Sequence, residues 1–227
     1  MHQSDFVPVS SRVTIQDGVY RQLRDALMTG RFDPEQVLTI ASLAESFGTS
    51  HMPVREALRR LAAENALEIA PNGSARVPAV SKARLDDLCR ARMAVEGLAA
   101  ELAADNLGAD DIRELERLVA AHEASGRDES VYAMLARNRE FHFALYEGSR
   151  SDVLIQLAET LWLRFGPYMR MLTRNVEPIL QSREGETYTR HHHAAIAALR
   201  RRDAAGVRQA IVDDIAATQD LLRPFCD

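Results

Sequence analysis

Arg55 and Arg59 stand four residues apart in GTSHMPVREALRRL, residues 48–61, with Arg60 beside them, and Val54, Ala57, Leu58 and Leu61 recur at helical spacing. One face of such a helix is apolar and another carries guanidinium groups. These pair with phosphates and contact guanine O6 and N7 through two parallel hydrogen bonds. A second set of residues could do different chemistry. Asn138 and His142 are also four apart and project from one helix face. His193 closes the run His191-His192-His193 at the start of a later helix, and Asp214 lies in the last one. Two imidazoles, a carboxylate and an amide oxygen can hold a divalent cation. The same residue types also serve as hydrogen-bonded core groups, so composition alone leaves both readings open. In LWLRFGPYMRM, Trp162, Arg164, Tyr168 and Arg170 could line a pocket or pack a core or an interface.

The elements around Arg55 and Arg59 read as a helix-turn-helix. Gly48 supplies a turn, and Pro53 falls in the first helical turn, where its missing N–H costs nothing. Ile40, Leu43, Ala44 and Phe47 predict a short helix upstream; Val19, Leu23 and Leu27 predict another over about residues 13–29. In residues 65–80 two apolar runs flank Pro71-Asn72-Gly73-Ser74, a hairpin signal. Three helices and a hairpin make a winged helix, with Asn72, Gly73 and Arg76 at the wing.

From Ser81 onward no segment alternates like a strand. Residues 82–107, 110–124, 128–148, 151–173 and 186–223 carry apolar residues at helical spacing, with a further break near Asp203. The expected fold is therefore mainly α: an N-terminal winged helix-turn-helix over residues 13–78, then an all-α antiparallel bundle of six or seven helices over 79–227. Residues 1–12 read as a flexible segment, and Pro78 to Ser81 as a hinge whose Ser81 caps the first bundle helix. Pro167 is expected to bend or break its helix.

The chain has 227 residues and a net charge of −5, yet its first 80 residues are close to neutral, so most of the acidic excess lies in the second domain. DNA binding needs a locally basic surface, not a basic protein. A reader this weakly charged should bind tightly only as a dimer on paired half-sites, with affinity falling as salt rises. No apolar run approaches membrane-spanning length and no signal peptide is evident, so no membrane partner is expected. Cys89 and Cys226 show no metal-finger spacing, and a cytoplasmic location follows as the default.

The run GRFDPEQVLTIASLAESFGTSHMPVREALRRLAAENALEIAPNGSARV resembles the amino-terminal domain of GntR-family transcriptional regulators, especially in PVREALRRL. Three departures stand out. Pro34-Glu35 replaces the family's Pro-Gly, so a type I turn is expected instead of a glycine-requiring type II. Ser50-His51-Met52 replaces Ser-Arg-Thr, which alters one contact to DNA at His51 and leaves Ser50 as the helix cap. DNA contacts are expected from Ser50, His51, Met52, Arg55, Arg59, Asn72, Gly73 and Arg76. The second half resembles the FCD ligand-binding domain of the FadR-like branch through ARMAVEGLAAELAA, NREFHFALYEGS and HAAIAALRRRDAAGVRQAI.

What this second resemblance implies is a metal site. The family pattern has an Asp four residues before a His, and a His from each of two later helices. Matched residue by residue, Asn138 stands at the Asp position, His142 and His193 at two His positions, and Asp214 at the third. Such a set would hold zinc first of all, with nickel or manganese as alternatives. Arg92 matches an arginine that grips an effector carboxylate, or else simply pairs with Glu96 one turn on. Arg164 and Tyr168 join it as candidate effector contacts. The resemblance therefore implies a cytoplasmic, homodimeric repressor that binds double-stranded operator DNA and responds to a small carboxylate, not an enzyme. Two rivals differ in the second domain: a metal-free acyl-CoA sensor with His142 and His193 in the core, and a metal-dependent helical-bundle enzyme. Against the latter stands the absence of repeated Glu-x-x-His pairs and of a His-Glu-x-x-His run.

Overall fold

The computed structural model describes residues 15–70, 74–128, 131–175 and 188–227. Among them are nine α-helices, which we number in chain order. Helices α1 (Ile15–Met28), α2 (Ile40–Ser46) and α3 (His51–Ala63) are interleaved with three two-residue strands, β1 (Val37–Leu38), β2 (Glu68–Ile69) and β3 (Ala75–Arg76). The bundle follows as α4 (Lys82–Asn106), α5 (Ala109–Asp128), α6 (Val131–Glu147), α7 (Asp152–Asn175), α8 (Arg190–Arg200) and α9 (Ala204–Leu222), ending in a 3-10 turn at Arg223–Phe225.

The first domain is the winged helix that the apolar spacing predicts. Val19, Leu23 and Leu27 of α1 meet Val54, Ala57, Leu58 and Leu61 of α3 in one buried cluster. The Tyr20 hydroxyl donates to both oxygens of Glu64, at 2.8 and 2.9 Å, and so ties α1 to the end of α3. The strands pair antiparallel in the order β1-β3-β2, with Val37 and Glu68 both opposite Arg76. Strand β1 has no periodic signal in the sequence, because two residues are too few to alternate. The wing tip, including Asn72 and Gly73, and the segment 1–12 lie outside the described residues.

The Pro34-Glu35 turn corrects the sequence reading. Glu35 lies at φ +64°, in the left-handed region that a type I turn does not use and a type II turn requires. The backbone N–H of Gln36 donates to Asp33 O at 3.1 Å across this turn, and that of Glu35 to Val77 O at 3.0 Å. The fold therefore imposes the family's turn on a residue other than glycine.

In the bundle, Asp203 caps α9 by accepting from Gly206 N at 2.9 Å, the break foreseen there. Ser81 caps α4 as expected, its hydroxyl accepting from Arg84 N. The expected hinge is fastened: the Tyr168 hydroxyl donates to Ser81 O at 3.0 Å and accepts from Ser81 N at 3.2 Å. Helix α7 also runs through Pro167 without ending. Beside that proline, Gly166 allows α1 to approach closely, since a Cβ there would stand 2.4 Å from the Leu27 carbonyl oxygen. The two domains meet along this line. Trp162 and Leu163 of α7 are buried in the winged-helix core, and Arg24–Glu159, Arg139–Asp25 and Arg170–Asp33 pair across the seam at 2.8–3.0 Å.

Candidate DNA interface and metal centre

Helix α3 presents its polar face to solvent. His51, Met52, Arg55 and Arg59 are exposed, while Val54, Ala57, Leu58 and Leu61 turn inward. Ser50 is the N-cap residue, but its side chain makes no cap hydrogen bond, contrary to the expectation that it would close the helix. Its hydroxyl and the first N–H groups of α3 are thus available to an anion. The arginines differ. Arg60 stacks on the Tyr20 ring at 3.6 Å and pairs with Glu64 at 3.4 Å, so it serves the domain's own packing. Arg59 pairs with Glu56 at 3.0 Å on the exposed face, a contact that a phosphate can displace. Arg55 makes no side-chain contact of this kind among the described residues, and Arg76 lies exposed on β3 toward the wing.

The second site lies inside the bundle, where α6, α8 and α9 converge. His142 Nε2 is 3.3 Å from Asp214 Oδ2 and 3.3 Å from His192 Nε2, and His192 Nε2 is 3.7 Å from Asp214 Oδ1. Both imidazoles are buried, and the three groups form a compact cluster able to hold a cation. The sequence reading therefore needs a correction of one residue. His193 is exposed and binds Glu123 at 2.7 Å, whereas its neighbour His192, not among the expected ligands, is buried and enters the cluster. The helical stripe decides it: His192 shares a face with the buried Ala195, Ile196 and Leu199. Asn138 sits one turn before His142 on α6 and is half-buried.

Hydrogen bonding settles which nitrogen of His142 carries its proton. Its Nδ1 is 2.9 Å from the Tyr146 hydroxyl, and that hydroxyl donates to Glu96 Oε2 at 2.7 Å. A phenol has one proton, so Nδ1–H must be the donor to Tyr146. Nε2 then faces Asp214 and His192 with its lone pair, unless it takes up a second proton. Burial pushes His192 down to about 3 and the neighbouring His122 down to about 4, so both rings are neutral near pH 7. Burial also opposes the charge on Asp214, but His142 and His192 outweigh it and hold that carboxyl below the usual range. Electron pairs thus converge where only a proton or a cation can reconcile them. Ligand atoms about 2.0–2.1 Å from a tetrahedral ion stand about 3.3–3.4 Å from one another, so these residues fit a metal.

Three residues expected to touch an effector are placed as follows. Arg92 forms a buried ion pair with Glu96, at 2.7 and 3.1 Å, and its guanidinium lies over the rings of Trp162 and Phe165. It is thus engaged internally, as is Tyr168 on Ser81. Arg164 is different: its Nε is buried and has no acceptor among the described residues. Sequence reasoning missed Glu96, Tyr146 and His122 as polar groups of the interior. His122 was legible, since it continues the apolar stripe of Leu115, Leu118 and Val119. The convergence of Glu96 and Tyr146 was not, because it joins residues fifty apart.

A winged helix with outward arginines, followed by an all-helical domain, defines a DNA-binding transcription regulator and not an enzyme. The chain belongs to the GntR family and carries an FCD domain. Residues 15–77 match the family of bacterial regulatory proteins named for GntR, and residues 87–217 match the FCD domain. The HTH-type transcriptional regulator McbR of Escherichia coli (strain K12) is 33% identical over 195 residues, covering 86% of each chain. The HTH-type transcriptional repressor GlaR of the same strain is 28% identical over 154 residues, covering 66% of this chain and 70% of the relative. The solved structure of E. coli McbR/YncC superposes with a TM-score of 0.87 at 31% identity, covering 94% of this chain and 99% of that one. A putative GntR regulator from Rhodococcus sp. RHA1 shares the fold, with a TM-score of 0.69 at 18% identity, covering 91% of this chain and 96% of that one. No helix among the described residues is long and apolar enough to cross a membrane.

Proposed function

We propose that this protein is a cytoplasmic, homodimeric repressor whose hold on operator DNA is set by a small carboxylate bound at a divalent cation in the bundle. The observation that carries the reading is the convergence of His142 Nε2, His192 Nε2 and Asp214 on one point, with His142 Nδ1–H already committed elsewhere. Zinc suits two imidazoles and a carboxylate at this spacing best, with Asn138, one turn before His142, as the candidate to add an amide oxygen; nickel and manganese are the alternatives. The cation would supply an open position for an anionic ligand. Arg164, with its orphaned buried Nε, is the candidate to meet the same carboxylate. In the metal-free acyl-CoA alternative only a proton could stand between His142 Nε2 and Asp214, and zinc uptake tells the two readings apart.

In this reading the winged helices of two copies enter successive major grooves, with Ser50, His51, Met52, Arg55 and Arg59 at the DNA and Asn72, Gly73 and Arg76 at the wing. The second copy would pack on an apolar strip at one end of the antiparallel α4–α7 pair, formed by Leu98 and Leu102 (39% exposed each), Val153 (66%) and Leu157 (47%). The test begins with an operator selected from random-sequence DNA by the full-length protein. Zinc-loaded protein is then titrated with that DNA in the presence of a panel of small mono- and dicarboxylates. One of them should change the affinity about fivefold or more. Arg55→Ala should weaken DNA binding by about 1–3 kcal/mol, with Arg60→Ala milder. Sedimentation should give a dimer that Leu98→Arg with Leu157→Arg dissociates. A monomer that binds the operator as tightly, or indifference to every acid, would contradict the reading.

A further inference from the structure

Glu96 is fully buried and accepts four hydrogen bonds from three elements: from Arg92 Nε and Nη2 on its own helix, from the Tyr146 hydroxyl on α6, and from Trp162 Nε1 on α7 at 2.9 Å. Three of the four, from Arg92 Nη2, Tyr146 and Trp162, converge on Oε2, which has two lone pairs, so these donors compete for one oxygen and a shift in one must be answered by the others. Two of these donors lead to different parts of the molecule. Tyr146 leads through His142 Nδ1 to the cation site. Trp162 leads to the other domain, since it belongs to the buried cluster that forms the winged-helix core. Its ring also lies 5.3 Å from that of His142. The chain from cation site to DNA-binding domain is therefore four side chains long: His142, Tyr146, Glu96, Trp162.

We propose that Tyr146 and Glu96 are positioning residues with two linked effects. They hold His142 in the tautomer whose Nε2 is a ligand, and through Trp162 they couple occupancy of the centre to the seating of the winged helix on α7. This rests on the reading of His142, His192 and Asp214 as a cation site. The physical argument is that a metal-bound imidazole is more acidic at its other nitrogen and donates a stronger hydrogen bond. Tyr146 then polarises toward Glu96, and the carboxylate redistributes its bonds between Tyr146 and Trp162. Trp162 also lies where α1 and α7 meet most closely, beside the Gly166–Leu27 approach. A small change in the indole is therefore felt in a packed core that cannot deform continuously.

The chain has a single tryptophan, so its emission comes from Trp162, which reports both on the His142 ring beside it and on the link through Glu96. Full-length apoprotein is titrated with zinc while three quantities are read: zinc affinity by competition with a chromophoric chelator, Trp162 emission, and affinity for the selected operator. The wild type should bind zinc, shift its emission and change its DNA affinity. Tyr146→Phe keeps every ligand and should bind zinc about 10–100-fold more weakly. Once saturated, it should show a smaller emission shift than the wild type, the part due to His142 beside the indole, and no change in DNA affinity. Trp162→Phe, which keeps an aromatic ring in the winged-helix core but loses the N–H, should bind zinc as wild type and leave DNA affinity indifferent to it. A Tyr146→Phe protein with wild-type zinc affinity and response would overturn the coupling and leave the cation site standing. A wild type that takes up no zinc would overturn both.

Discussion

Glu35 occupies the left-handed region at φ +64°, a conformation that costs a side chain with a Cβ about 1–3 kcal/mol. Glu35→Gly should therefore stabilise the protein by about 1 kcal/mol, after allowing for glycine's larger freedom in the unfolded chain. Thermal unfolding should show a rise of about 2–4 °C, and a fall would mean that the Glu35 side chain makes a contact worth more than the strain. At this scale some of the site was legible and some was not. His142 and Asp214 were found because they fall at the ligand positions that the resemblance to the FCD pattern implies. The choice between His192 and His193 turned on 100° of helical rotation, which the sequence fixes only when the buried stripe of Ala195, Ile196 and Leu199 is followed back to its start. Arg92 was read either as an effector grip or as half of an i,i+4 pair with Glu96, which on a helix surface is worth a few tenths of a kcal/mol. Burial changes its weight, since removing one partner of such a pair costs about 3–5 kcal/mol. Burial is a property of packing and is not written in a spacing of four.

Helix α7 shows what the level of elements adds. Its Pro167 suggested a bend or break, but the helix continues past it, and the neighbouring Gly166 admits the Leu27 carbonyl at the seam. Gly166→Ala should force α1 away from α7 and cost about 1–3 kcal/mol in denaturant unfolding. It should also weaken DNA binding without touching α3. Unchanged stability would show that the seam has more room than the 2.4 Å approach implies. The helices themselves were readable from periodicity, and so was the break at Asp203. The two-residue strands were too short to announce themselves, except where the Asn-Gly turn marked the hairpin.

For the molecule as a whole, a regulator of this family joins a DNA-reading domain to a helical one, and here the join is a packed seam. Trp162 belongs to the winged-helix core, Tyr168 fastens the linker at Ser81, and three ion pairs cross between the domains. A change inside the bundle therefore has a direct mechanical path to α1 and α3. The account stands or falls on the cation. The decisive measurement is metal content by mass spectrometry of tag-free, zinc-reconstituted protein, for the wild type, His192→Ala and His193→Ala. About one zinc per chain is expected in the wild type and in His193→Ala, and its loss in His192→Ala. No zinc in the wild type, or loss in His193→Ala with retention in His192→Ala, would contradict it.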